Sequence, residues 1–431
     1  MWNRVLLLII LLLVLVLCLL NSYDPDQTST DVGKNLNLAP TSGLPQYLDF
    51  YQAERDREFK DKHLPSPKSA YLLSAFEFPN EISIVHMNRE ITGATLWCRY
   101  FSENSTEISA SQKSFTYPCH LVNCPKVAGT RKVSLSVFEN STDFDFPIPL
   151  VPRGMENYVE DKYEFSMCMS PIYGKEPKWL LISELIEHYK LQGVSHFYFY
   201  IHFIDQYSRA ILEDYQRTGE ITVIELLEKY NREPEHLQIP AYRDCQLRAK
   251  FESRWLLFSD LDERIIMTGY PGTILNFLRD LENPDSIGAV IFRQRWVLKT
   301  ETMPDKYIND SHLLSWLPTL RWHNTSSVGP RRHTVKTIGD PKKIYEAWVH
   351  YPKIYYPGEH QTYDVKPEEG YVRHYRDQKM GNWGGKWLKD VVKFGPFSLT
   401  NYSKIYQGKL VENVRKRVEN VYLNYSLRLE D

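Results

Sequence analysis

Two aspartates, Asp260 and Asp262, follow the apolar run Trp255-Leu256-Leu257-Phe258-Ser259 and are themselves followed by Glu263. Trp255–Phe258 reads as a buried strand. In an extended chain, side chains two apart point the same way, so the two carboxylates can face one ion together. Hard carboxylate oxygens suit Mn²⁺ or Mg²⁺, and an ion held that way also grips a diphosphate. The chemistry implied is Lewis-acid assistance to a departing nucleoside diphosphate. The D-x-D pattern alone is weak, since Asp24-Pro25-Asp26 and Asp143-Phe144-Asp145 repeat it. Context singles out the third pair, because it follows a buried strand inside an alternating region. Use of the same two groups as a hydrolase's carboxylates is a rival reading, but neighbours on one strand sit too close for that role.

The elements that must position the pair alternate. Glu164–Pro171 reads as a buried strand. Pro177 opens a helix on which Trp179, Ile182, Ile186 and Tyr189 recur at helical spacing, and Gly193 stops it. His196–Phe203 predicts a second strand, Ala210–Arg217 a helix stopped at Gly219, and Ile221–Leu226 a third strand. A helix over Arg243–Glu252 leads into the strand of the pair. This order predicts an α/β fold with a largely parallel sheet covered by helices on both faces. Ligands of such sheets bind outside the carboxyl ends of the strands, where Asp260-Leu261-Asp262 would lie. Upstream, over 68–155, the runs Ile82–Met87, Ala94–Tyr100 and Lys132–Phe138 predict a small β-rich domain. Residues 401–431 predict a helical extension.

The amino terminus places this machinery. Val5 to Leu20 is uninterrupted apolar sequence behind Arg4. At about 1.5 Å per residue it spans roughly 24 Å, tolerable in a thin early-secretory bilayer. Arg4 on one side and Asp24 and Asp26 on the other predict a signal-anchor, with residues 1–4 cytosolic and the rest lumenal. A cleaved signal peptide fits less well, because no small-x-small site follows. Residues 21–67 are polar and proline-punctuated, predicting a stem with a short helix around Leu48–Lys60. Six N-x-S/T sequons, at Asn104, Asn140, Asn309, Asn324, Asn401 and Asn424, agree with export and mark expected surface. Cys18 lies in the anchor, and the other five cysteines would meet an oxidising lumen. An odd number leaves one thiol free or paired between chains. A bridge from Cys98 to Cys119 or Cys124 is expected.

Composition excludes several classes. The net charge is −2 with no long basic run, so the footprint of a nucleic-acid binder is missing. Phosphate-loop, dinucleotide, serine-elbow and H-E-x-x-H motifs are absent from the sequence. Aromatic residues reach 13%, with 29 Tyr and 10 Trp, and such rings can stack on sugar faces as well as fill cores.

A set of motifs runs in order through the second half: Ser166-Met167-Cys168, Leu191-Gln192-Gly193, Asp244-Cys245-Gln246-Leu247-Arg248, Phe258 to Glu263, Pro352 to His360, and Arg373-His374-Tyr375-Arg376. With them the region from about Glu164 to Asp377 resembles glycosyltransferase family 92, a group expanded in nematodes. The resemblance implies a GT-A-like nucleotide-sugar transferase domain over about 160–400. It also implies a Golgi type II membrane protein and a metal-dependent transfer of galactose from UDP-galactose to a glycan such as an N-glycan. Under it Asp260 and Asp262 bind the metal, His374 completes the shell, and His360 is a second candidate. Asp244 would touch the nucleotide, against a plain salt-bridge role. Cys168 and Cys245 would pair, leaving Cys119 or Cys124 over. Arg264 stands where relatives more often carry an aromatic, which bears on donor preference.

The expected mechanism is one in-line displacement with inversion, the acceptor hydroxyl being deprotonated by a carboxylate. Glu346, Glu359, Asp364 and Asp310 are candidates for that base. Trp316, Trp322, Trp383 and Trp387 are candidates for an acceptor floor, and Asn382-Trp383-Gly384-Gly385 for a mobile closing loop. The competing expectation is a membrane-anchored, glycan-binding glycoprotein built on a degenerate transferase fold.

Overall fold

The computed structural model describes residues 46–60, 71–141, 146–154, 160–227, 234–377 and 383–428. The expected signal-anchor, most of the stem and Asp143-Phe144-Asp145 lie outside these. Among the described residues no helix is long and apolar enough to cross a membrane. Helix α1 (Gln46–Glu58) falls where the short stem helix is predicted. It does not stand off from the fold, because Leu48 and Tyr51 are buried and Tyr51 stacks on Tyr345 at 3.8 Å.

Seven strands follow: β1 (Leu72–Glu77), β2 (Glu81–His86), β3 (Thr95–Phe101), β4 (Gln112–Phe115), β5 (Leu121–Pro125), β6 (Lys132–Ser136) and β7 (Ile148–Pro152). Their order in the sheet is β4-β3-β6-β7-β1-β2-β5. Alternating apolar residues such as Ile82, Ile84, Leu96, Tyr100 and Val133 turn inward to one core. A disulfide joins Cys98 on β3 to Cys124 on β5. These strands lie near opposite ends of the order, so the sheet curls back on itself. Cys119 is left as a buried free thiol.

The alternating region supplies β8 (Tyr163–Met169), α2 (Trp179–Leu191), β9 (His196–Ile201), α3 (Gln206–Arg217), β10 (Ile221–Glu225), α4 (Gln238–Ala249) and β11 (Ser253–Ser259). Then come β12 (Glu263–Met267), α5 (Ile274–Arg279), β13 (Ile287–Phe292), β14 (Gln294–Lys299), α6 (Asp310–Trp316), α7 (Pro318–Arg321), β15 (Asn324–Thr325) and β16 (Lys336–Gly339). The chain ends through β17 (Ile344–Ala347), β18 (Pro352–Tyr355), β19 (Gln361–Asp364), β20 (Gly370–Asp377), α8 (Trp383–Val391), β21 (Ser398–Leu399) and α9 (Lys404–Arg428).

The central sheet is mixed, in the order β10-β9-β8-β11-β16-β13-β19. β10, β9, β8 and β11 are parallel, as the alternation requires. β16 is inserted antiparallel between β11 and β13. Strand β9 reads His-Phe-Tyr-Phe-Tyr-Ile and is buried along its whole length, as a strand covered on both faces must be. At α2's end Gly193 adopts φ +99°, and a Cβ there would meet Leu275 Cβ at 2.5 Å. Glycine is thus required both by the left-handed turn and by the close approach. The strand order reverses between β8 and β11, which makes the carboxyl end of β11 a topological switch point.

A disulfide from Cys168 to Cys245 fastens β8 to α4. The curled sheet and the mixed sheet belong to one compact unit. Helix α4 is shared between them, through Ser74 of β1 bonded to Asp244. A third sheet, β12-β20-β14-β15-β21, carries the histidine strand β20.

Candidate active site

Strand β11 ends at Ser259, the chain turns through Asp260-Leu261-Asp262, and β12 begins at Glu263. β12 pairs antiparallel with β20, placing Glu263 opposite His374, and Tyr375 N donates to Asp262 O at 2.8 Å. Register alone therefore brings a residue over one hundred positions downstream onto the turn. His374 Nε2 lies 3.2 Å from Asp262 Oδ2. On the other side of the ring, His374 Nδ1 faces Gln294 Oε1 at 3.0 Å and Glu263 Oε1 at 3.3 Å. Gln294 is oriented by its own amide, since Nε2 donates to Glu263 Oε1 at 3.1 Å.

Two acceptors around Nδ1 put the ring proton there. In the neutral ring Nε2 then aims a lone pair at a carboxylate. Two acceptors face to face need a proton or a cation between them. Burial disfavours a charged His374, yet Asp262 and Glu263 outweigh it and raise its pKa. Burial would likewise raise Asp262, but His374 and Arg376 hold it well below the usual carboxylate range.

Asp260 has a different set of partners. Its Oδ2 accepts from Lys336 Nζ at 2.7 Å, and Oδ1 accepts from Gln238 Nε2 at 3.1 Å and Tyr242 OH at 3.3 Å. Lys336 opens β16 with a fully buried side chain and also lies 2.9 Å from Glu263 Oε2. That oxygen receives Ser259 Oγ and the Asp260 backbone N–H as well. Burial works against the ammonium, but Asp260 and Glu263 together hold Lys336 protonated. Lys336 in turn keeps Asp260 below the ordinary range against the pull of burial. Glu263 and Lys336 are sealed, whereas the Asp260 and Asp262 side chains are 25% and 29% exposed. The D-x-D carboxylates are thus the open face of a charged cluster whose inner half is closed.

Around the rim, Arg376 Nη1 lies 3.8 Å from Asp262, and its guanidinium sits over the Trp387 ring at 5.3 Å. The same indole is 6.2 Å from the His374 ring. Lys299 pairs with Asp377 at 3.1 Å, just beyond. Among the described residues no three His, Cys, Asp or Glu side chains converge as a ready-made metal cage. Asp262 and His374 supply two donors side by side, of the oxygen and nitrogen types that suit Mn²⁺. Such a half-site suits an ion completed by substrate phosphates and water.

Several expectations are corrected. Asp244 does not reach a nucleotide. It is fully buried on α4, and its oxygens are taken by Ser74, Tyr200 and Arg248, the last at 3.0 and 3.2 Å. His360 does not join the aspartates, because Gln361 after it pairs with Ile287 at the start of β13. That is the opposite edge of the sheet, on the order of 20 Å along the strands. Arg264 is fully buried and points to α2, where Nη2 meets Glu184 Oε2 at 3.2 Å, so it does not read the donor.

Of the candidate bases, Glu346 is buried beside Arg243 at 3.7 Å, and Asp310 bonds Tyr307 and Arg415. Glu359 is exposed in the bend before β19. Asp364 pairs with Ile291 near the end of β13, at the same end of the strands as Asp260 but on the edge strand β19, three strands from β11, and accepts from Arg331 at 2.6 Å.

Trp316 and Trp322 pack with Arg321, and Trp387 contacts His374. Gly384 and Gly385 lie in the first turn of α8, not in a loop, and Asn382 is outside the described residues. Lys336, Gln294, Gln238 and Tyr242 went unnoticed in the sequence.

Residues 163–410, more than half of the chain, match the model of glycosyltransferase family 92. In Caenorhabditis elegans, beta-1,4-galactosyltransferase galt-1 is 22% identical over 65% of this chain and 67% of its own length. Two further family 92 proteins of that nematode are 22% and 24% identical over 54% and 61% of this chain. The chain spans about half the length of those two, 44% and 52%. Among solved structures, residues 1–349 of S. aureus TarS overlap 60% of this chain and 72% of that one, with 11% identity and a TM-score of 0.27. A Pyrobaculum calidifontis mannosyltransferase in complex with GDP-mannose and Mn²⁺ overlaps 43% and 47%, with 14% identity and a TM-score of 0.23. Overlaps that loose place no residue of this chain. The family match is another matter, for it runs unbroken across both the aspartate turn and the histidine strand: the chain belongs to glycosyltransferase family 92.

Proposed function

We propose that this chain is a type II secretory-pathway hexosyltransferase of GT-A type that moves galactose from UDP-galactose to a glycan acceptor with inversion. The observation that carries the proposal is His374 Nε2 lying 3.2 Å from Asp262 Oδ2 at the open face of the cluster, with Gln294 Oε1 and Glu263 Oε1 facing Nδ1 on the other side of the ring. Asp262 and His374 would hold Mn²⁺ or Mg²⁺, with Asp260 beside them. Such an ion, when bound, offsets the charge that develops on a leaving nucleoside diphosphate. Gln294 and Glu263 keep His374 in the required tautomer. Lys336 keeps Asp260 ionised, so the turn does not close on itself by sharing a proton. Arg376, half open at the rim, suits phosphate oxygens, and Trp387 offers a flat apolar face to a sugar. The acceptor hydroxyl attacks the anomeric carbon while the bond to the diphosphate breaks, and the electron pair leaves on the phosphate oxygen. Asp364, whose strand ends at the same end of the sheet as β11, would take the hydroxyl proton.

Similarity to galt-1 supports galactose as the sugar. The apolar run behind Arg4, the six sequons and the two disulfides support a lumenal, Golgi-type setting. The test is the membrane-expressed chain incubated with Mn²⁺, a UDP-sugar panel and released N-glycans, read by mass shift. Galactose addition is expected, lost in Asp262→Ala and His374→Ala and in EDTA. A chain that turns over and binds no donor would instead be the glycan-binding protein. Full activity in Asp262→Ala would place the metal elsewhere.

A further inference from the structure

Where β12 runs out, on the far side from the aspartate turn, a cleft of about 370 Å³ opens. Ile266–Gly272 forms one wall, and Asn401, Ser403, Ile405 and Tyr406 form the other. Asn401 heads the sequon Asn401-Tyr402-Ser403, and the sequon is clamped in place. Tyr402 is buried, and its hydroxyl donates to His188 Nδ1 at 2.7 Å. His188 Nε2 donates in turn to Ile265 O at 3.0 Å, on the strand that continues into the opposite wall. Burial pushes the His188 pKa down to about 3, so the ring is neutral and this relay is fixed. Asn401 itself is exposed on the cleft wall. Beside it two large apolar side chains stand in solvent, Leu399 at 82% and Ile405 at 79% exposure. Two half-buried rings, Tyr270 and Tyr406, complete the lining. Tyrosines with one wet edge and an apolar face, next to uncovered aliphatics, suit a sugar ring.

We propose that Asn401 carries an N-linked glycan whose first N-acetylglucosamine lies in this cleft, covering Ile405 and the faces of Tyr270 and Tyr406. In the modification, Asn401 Nδ2 bonds to the anomeric carbon of a lipid-linked oligosaccharide, displacing the lipid diphosphate and losing one proton. The covalent tether makes the sugar's contact with the cleft intramolecular, so weak stacking suffices to hold it. The proposal rests on the lumenal reading alone and is independent of which sugar the enzyme transfers.

The full chain is expressed through the secretory route in a high-mannose host, and its glycopeptides are mapped. Asn401 is expected to be occupied. Its glycan should resist amidase release from the native protein while that on Asn104 is removed, and both should be released after denaturation. Trimming to a single N-acetylglucosamine should preserve the melting temperature. Asn401→Gln and Ser403→Ala should each lower it by about 2 °C. Occupancy elsewhere but not at Asn401 would overturn the proposal. So would equal native release at Asn104 and Asn401, or an Asn401→Gln protein melting with the trimmed one. A chain with no glycan at any sequon would overturn the lumenal reading along with it, whereas failure of sugar transfer alone would leave it standing.

Discussion

Lys336→Met is the sharpest probe of the aspartate turn, because one buried ammonium serves two carboxylates. The pairs to Asp260 and Glu263 measure 2.7 and 2.9 Å. At an effective dielectric near 20 each corresponds to about 6 kcal/mol of attraction, much of which is offset by desolvating the ammonium. Removing one partner of a buried pair costs about 3–5 kcal/mol, since it strands the other charge. Asp260 is a quarter exposed and can recover some hydration, so the lower end, about 3 kcal/mol, applies. At about 2.1 cal/mol/K of unfolding entropy per residue, a unit of this size then melts about 4 °C lower. The variant also leaves the turn with one more uncompensated negative charge, so a divalent cation should bind it more tightly. Thermal melts of both proteins, in EDTA and in saturating Mn²⁺, measure the two effects together. Lys336→Met should melt about 4 °C below the parent in EDTA and recover more than the parent when Mn²⁺ is added. In the double variant with Asp260→Asn, the losses should fall short of their sum by at least about 1 kcal/mol. A variant within about 2 °C of the parent in EDTA, or an identical Mn²⁺ shift in the two, would refute the placement of Lys336.

Three further outcomes follow from the packing of buried charges and the two disulfides. Arg264→Met strands Glu184 in the core and should cost about 3–5 kcal/mol in denaturant melts while leaving the donor KM unchanged; a changed KM at unchanged stability would return Arg264 to the site. Cys168→Ser opens a longer loop than Cys98→Ser, with sequence separations of 77 and 26. The chain-entropy argument makes it the costlier loss by about 1 kcal/mol, and equal losses in urea would discount it. Lys250 is buried against Phe78 and Tyr356, and burial lowers its pKa from 10.5 to about 8. Below pH 8 both folded and unfolded chains carry this charge and its burial cost, about 3 kcal/mol, is fully present. Between about 8 and 10.5 the unfolded chain binds more protons, so stability from this group rises with pH and levels off above. Lys250→Met should therefore be the more stable protein at pH 7, with an advantage that shrinks by pH 10; a constant difference across that range would contradict the burial.

Local pattern carried the parallel half of the fold. β8, β9, β10 and β11 were visible because each is an apolar run bounded by a helix whose own period is unmistakable. The aspartate turn was visible because it ends the last of those runs. β16 was not. Its partners are Phe258 and Phe292, some 80 and 45 residues away, and nothing in Lys336-Thr337-Ile338-Gly339 announces which strands it enters between. Lys336 is hidden for the same reason, since its role is created by that insertion. His360 and His374 looked alike in sequence, each a histidine in a short β-prone stretch. Strand register separated them, setting one opposite Glu263 and the other at the far edge of the sheet. Gly384 and Gly385 read as a loop because glycine disfavours helix, yet they sit in α8, whose Trp387 packs on Trp296 and His374. Tertiary packing of one indole overrides the local preference. Asp244 was the readable error. Arg248 follows it by four residues, the spacing of a helical ion pair, and that arithmetic already favoured a structural carboxylate over a nucleotide ligand. Chemistry-bearing residue types are therefore marked locally, but which of them meet is decided by pairings that no window of sequence contains.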